Sequence, residues 1–172
     1  MKLEESLKSK KFIVTSEIQP PIGTGIQDLV RNIDKIRGRI DALTVPELKI
    51  EGLVTDTMGT CRALKEQKFD PILQTTCREK TRIDIQDHLI KASEAGIENI
   101  LAFTEDYRIT GDSLQEIMFF HVDSGKLFSV MESLLEGHDI SGKELPSKYR
   151  FCVGSGIDES WGKKLPDMEL KE

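Results

Sequence analysis

The chain reads as an α/β protein built on a parallel sheet, and three observations predict this. Strand-like and helix-like patterns alternate from residue 12 onward. Four strand patterns start about every 30 residues, the spacing of a right-handed β-α-β crossover. No composition break, low-complexity tract or repeat beyond the β/α unit interrupts the series, so residues 1–172 form one domain with residues 1–11 as an N-terminal extension.

The elements follow in order. "FIVTSEI" (12–18) has the β-branched density of a strand, and Pro20-Pro21 stop it. Over 26–37, Ile26, Leu29, Val30, Ile33 and Ile36 share one helical face. "IDALTV" (40–45) is the second strand, ended by Pro46. Val54, Met58, Cys61 and Leu64 align along a helix near 55–67. "PILQT" (71–75) is the third strand. Ile85, Leu89 and Ala92 mark a helix over 84–95, with Gly96 as its C-terminal cap. "ENILAF" (98–103) is the fourth strand, and a long loop runs from about 104 to 123. Leu127, Phe128, Val130, Met131, Leu134 and Leu135 predict the next helix. "YRFCVG" (149–154) is the fifth strand, and "LPDMELKE" opens another helix.

Composition excludes several functions. Of the 172 residues 38% are hydrophobic and 31% charged, with a net charge of −6, as in an ordinary soluble domain. The densest basic run, "KSKK" (8–11), is too short for a nucleic-acid or acidic-membrane surface. No apolar run approaches the ~20 residues that span a bilayer. "MKLEESLKSKK" has acids and no hydrophobic stretch, unlike a signal peptide. Cys61, Cys77 and Cys152 are an odd set without C-x-x-C spacing, which fits a reducing cytoplasm. His88, His121 and His138 show no ligand spacing, so no metal site is expected.

Two architectures suit this pattern: an open doubly wound sheet, and a (β/α)8 barrel of which five units are present. A dinucleotide-binding sheet should carry G-x-G-x-x-G after its first strand. Here the loop is "QPPIGTGIQDL", with G-x-G, no third glycine and two prolines ahead of it. In a parallel barrel the strand C-termini converge on one mouth. They would bring there Glu17, Thr44, Gln74, Thr75, Thr76, Thr104, Glu105 and Asp106. Carboxylates in a partly dry mouth suit acid–base work, because burial favours their protonated form.

"SEIQPP", "DALTVPE", "LQTTCREK…HLIKASEAGIENILAFTEDY", "ITGD…HVDSGKLFSVMESLLEG" and "FCVGSGI" occur in the order and at the spacings of methylenetetrahydrofolate reductases, over about 12–157. The chain resembles that family. D-S-x-x-L near 123–127 and the loop "GHDISG" resemble its branch in anaerobes with a folate-linked one-carbon pathway. The resemblance implies a (β/α)8 TIM-type barrel holding FAD, or FMN, at the strand C-termini. It implies reduction of 5,10-methylenetetrahydrofolate to 5-methyltetrahydrofolate, with NAD(P)H or an electron-carrier protein as donor. Glu17 matches the family's catalytic acid, which protonates folate N10 as the five-membered ring opens. Asp106 matches the aspartate at the flavin's pyrimidine edge that also touches the pterin. Thr44, Gln74, Phe103 and Thr104 fall at cofactor-binding positions.

Three departures accompany the match. Gln74 stands where many members have histidine, and Thr104-Glu105 replaces Arg-Gly. Asp158 lies where many members stack an aromatic residue near the adenine. The resemblance covers five of eight β/α units, and the sequence stops inside the fifth helix. It therefore reads as a piece of a longer reductase, a short form whose barrel a partner subunit or second copy completes, or a rearranged paralogue. Two other functions stand beside the reductase: a non-catalytic folate- or flavin-binding fragment or subunit of a one-carbon complex, and a pterin-dependent methyltransferase-like barrel.

Overall fold

The computed structural model describes residues 3–9, 12–21, 25–50, 53–77, 80–103 and 124–155. Five parallel strands form the main sheet: β1 (Thr15–Glu17), β2 (Ala42–Val45), β5 (Pro71–Thr76), β6 (Asn99–Phe103) and β7 (Cys152–Ser155). A small antiparallel hairpin, β3 (Lys49–Ile50) and β4 (Leu53–Val54), follows β2. The helices are α1 (Leu3–Lys8), α2 (Ile26–Asp34), α3 (Thr57–Glu66), α4 (Arg82–Glu94) and α5 (Ser124–Glu136).

The order in space, β1-β2-β5-β6-β7, is the order in sequence. A doubly wound sheet reverses direction at a switch point, and this one does not. Successive right-handed crossovers that always step the same way place their helices on one face. α2 packs beside α3, and α4 beside α5. Of the two architectures open in the sequence, the winding is that of a partial (β/α)n barrel.

Alternation along the strands separates two faces. Leu43, Val45, Leu73, Ile100 and Ala102 are buried with Cys61, Leu64, Ile85, Leu89, Leu127, Val130, Met131 and Leu134 of the helices in one apolar layer. The α5 contribution repeats at i, i+3, i+4 and i+7, which keeps it on one helical stripe. The register also staggers. Glu17, Thr44, Ile72, Asn99 and Cys152 form one row across the sheet. That row crosses β1 at its end and β6 and β7 at their starts, the shear that a tilted barrel wall requires.

Element boundaries shift for local reasons. β1 is shorter than 12–18 and lies at an edge, where Phe12 is 91% exposed. Val14 is held instead by the Asp41 carboxylate, which accepts its N–H at 2.8 Å. α2 ends at Asp34, ahead of Gly38 in the left-handed region. α4 begins at Arg82 because Thr81 and Asp84 form a reciprocal capping box. Those hydrogen bonds from Thr81 hold the Asp84 carboxyl below its usual range. Gly96, at φ +73°, follows the α4 C-cap as the sequence predicts. The fifth strand is Cys152–Ser155 rather than 149–154. The N-terminal extension is not merely a solvated tail. Leu3 and Ser6 of α1 are buried, and the Leu3 N–H donates to Asp70 at 3.0 Å, just ahead of β5. α1 therefore packs at the sheet's N-terminal end, opposite the mouth.

The core predicts two contrasting substitutions. Leu73 is fully buried, and Leu73→Ala should cost about 2–5 kcal/mol in urea unfolding. Thr75 is also fully buried, and its hydroxyl has no hydrogen-bond partner among the described residues. Thr75→Val should leave the melting temperature unchanged or raise it, by up to about 1 kcal/mol of added stability.

Candidate functional site

The face of the sheet turned away from the helices carries the candidate residues. Glu17 and Thr44 are register partners, and so are Thr44 and Ile72; Gln74 lies two residues further along β5 on the same face. Glu17, Thr44 and Gln74 thus run diagonally over three adjacent strands near their C-terminal ends. Strand spacing and rise put the Thr44 and Gln74 backbones roughly 8 Å apart, and Glu17 and Gln74 roughly 12 Å apart. Ile72 and Leu101 supply apolar surface on that face. Gly154, in register with Leu101, adds no side chain above it.

Each residue is placed by a local cause. The Ile18 N–H donates to the Thr44 carbonyl at 3.0 Å, which ties the Glu17 end of β1 to β2. Thr44 is buried, Gln74 half-buried and Glu17 exposed. The dry environment expected around the acid is therefore not supplied by the described residues. Neither the Thr44 hydroxyl nor the Gln74 amide has a hydrogen-bond partner among those residues. Two open polar groups flanking apolar wall fit a flat heteroaromatic ring with a hydrogen-bonding edge. Thr75 does not belong to the site, since its row-mate Ala102 faces the helices. Phe103 ends β6 opposite Thr76; of it only the backbone is described. Thr104, Glu105, Asp106 and Asp158 lie outside the described residues, as do Gly23 and Thr24 of the first loop.

Sequence reading passed over a polar cluster at the same mouth. Glu47 follows Pro46 at the end of β2, and Lys80 follows β5. Their side chains pair at 2.6 Å, each only about one-fifth exposed. The same Glu47 oxygen also accepts from the Thr76 N–H at 3.4 Å and its hydroxyl at 3.3 Å, both long contacts. Behind them, on α4, His88 has a buried Nε2 without a hydrogen-bond partner among the described residues. Burial holds its pKa below the usual 6.5; Lys80 lowers it further, and Glu47 opposes. The one available signal was two opposite charges just past the ends of adjacent parallel strands. Among the described residues, no group of three or more His, Cys, Asp or Glu side chains could hold a metal ion, and no helix is long and apolar enough to cross a membrane.

Residues 2–125 match the model of the family described as methylenetetrahydrofolate reductase, well over half of the chain. No curated protein matches the chain.

His88 gives the site a pH signature. Its folded pKa is lowered, so below about 6.5 the unfolded chain binds the extra proton and the folded one resists it. Stability from this group is complete above that value and is lost as pH falls below it. Urea unfolding at about pH 7.5 and about pH 5.5 should show a loss on acidification that is smaller in His88→Gln.

Proposed function

The chain belongs to the methylenetetrahydrofolate reductase family, whose chemistry is folate-linked one-carbon reduction, and on that footing we propose that its open sheet face is the wall of a flavin-dependent 5,10-methylenetetrahydrofolate reductase site. The observation that carries the reading is the placement of Glu17, Thr44 and Gln74 on one face, at the strand ends where barrel enzymes do chemistry. FAD or FMN, when bound, supplies a hydride to the substrate's methylene carbon.

The chain's own residues then have distinct tasks. The Gln74 amide offers both a donor and an acceptor to the ring's polar edge, and the Thr44 hydroxyl a further contact. Ile72 and Leu101 give the ring an apolar bed. Glu17 stands two strands across the face from Gln74. Its carboxyl donates a proton to folate N10, so the ring nitrogen leaves neutral and the methylene carbon becomes an electrophilic iminium. A folate laid over Glu17 would exclude the water that now reaches it, favouring the protonated acid. Asp106 is assigned to the same site as a negative charge that stabilises this cation, and Phe103 and Thr104 to the cofactor's surroundings. NAD(P)H or an electron-carrier protein would serve as the electron donor. β1 and β7 each have one neighbour among the described residues. Closing a barrel takes further strands, from more of the same polypeptide, a second copy or a partner subunit.

The exposure of Glu17 favours one alternative, a folate- or flavin-binding unit without turnover. Two measurements separate them. The purified chain titrated with FAD or FMN should develop a bound-flavin absorption spectrum; its absence would reject the cofactor assignment. In a preparation with reductase activity, Glu17→Gln should lower turnover by about 10²–10⁴-fold while flavin and folate still bind. Near-normal turnover would remove Glu17 from the mechanism.

A further inference from the structure

We propose that Glu47 and Lys80 are positioning residues: a clamp across the rim of the mouth that fixes the spacing of Thr44 and Gln74 and thereby the bound flavin. This extension rests on the flavin reading above. The argument starts with Pro46. β2 pairs with β5 only as far as Val45 and Leu73, because the chain turns away at the proline. β5 continues three residues further, to Thr76, paired with β6 alone. The edge of β5 that faces β2 therefore passes the end of its neighbour exactly where Gln74 must be held.

The Glu47 carboxylate fills that gap. One oxygen reaches the Thr76 N–H and hydroxyl, taking the place of the strand carbonyl that β2 no longer provides. Lys80 closes the loop, donating to Glu47 at 2.6 Å and to the Thr76 carbonyl at 3.3 Å. The other anchor is the Thr57 hydroxyl, which donates to the Pro46 carbonyl at 3.1 Å and fixes the root of Glu47 to the start of α3. Glu47 lies three residues beyond Thr44, and Thr76 two beyond Gln74. The clamp is therefore rooted within three residues of both ligand groups.

Its setting distinguishes it from the surface pairs. Lys8–Glu4, Arg31–Asp28 and Lys91–Asp87 link residues three or four apart on one helix, and their side chains are 38–75% exposed. Glu47 and Lys80 are 33 residues apart, on two different strand ends, and mostly shielded. Removing one member of such a pair leaves the other charge shielded and uncompensated, which drives it to rearrange.

The experiment titrates FAD into the full chain and into Glu47→Gln, Lys80→Met and Lys80→Arg, reading affinity and the visible band of the bound flavin. Thermal melts confirm folding. Glu47→Gln and Lys80→Met should weaken binding about tenfold or more and return the band towards that of free flavin. Lys80→Arg, which keeps the charge, should stay within about twofold of the parent. If Glu47→Gln does not fold, the two lysine variants decide the matter. Parental affinity and band shape in Lys80→Met would overturn the clamp alone. A parent chain that binds no flavin would overturn the functional reading and the clamp with it.

Discussion

Every strand of the main sheet is added on the same side as the one before. That single constraint, together with the right hand of the crossovers, places the helices on one face of the sheet. The helices are then free to build one continuous apolar layer with Leu43, Val45, Leu73 and Ile100. The opposite face takes no part in that layer. It carries the polar Glu17, Thr44 and Gln74, which that apolar layer has no need to absorb.

The division has an energetic logic. Strands buried on the helix side gain enough from apolar contact to hold β2 and β5 in place even where their ladder is short. Stability is supplied on the helix-covered face, while the opposite face carries polar side chains. Where the two meet, at the strand ends, main-chain pairing gives out and side chains take over. Glu47 completes the edge of β5 there, as Asp41 completes the start of β1. Carboxylates at strand ends in this protein do structural duty.

The sequence revealed the layered plan because periodicity survives folding: Ile85, Leu89 and Ala92 could only form one helical stripe. The position of Glu17, Thr44 and Gln74 near strand ends was legible because the strand patterns themselves were. The Glu47–Lys80 pair was not, since it joins two loops 33 residues apart and no local pattern encodes that meeting. The β3–β4 hairpin was missed because its strands are two residues long, below any readable alternation. α1 was missed because six residues give less than two turns of pattern, and its burial depends on a sheet that the segment itself does not contain. The choice between barrel and doubly wound winding rests on strand order in space, which single-chain periodicity leaves open.

That docking of α1 bears on the order in which the molecule is made. The Leu3 N–H finds its acceptor in the Asp70 carboxylate, 67 residues later. On the ribosome α1 emerges before its partner and must wait, unpaired, until β2 and the approach to β5 have been synthesised. The closing of that long loop is costly in chain entropy and comes only after the strands have a surface to offer. α1 is therefore among the later elements to settle, a latch put in place on a sheet that has already started to assemble.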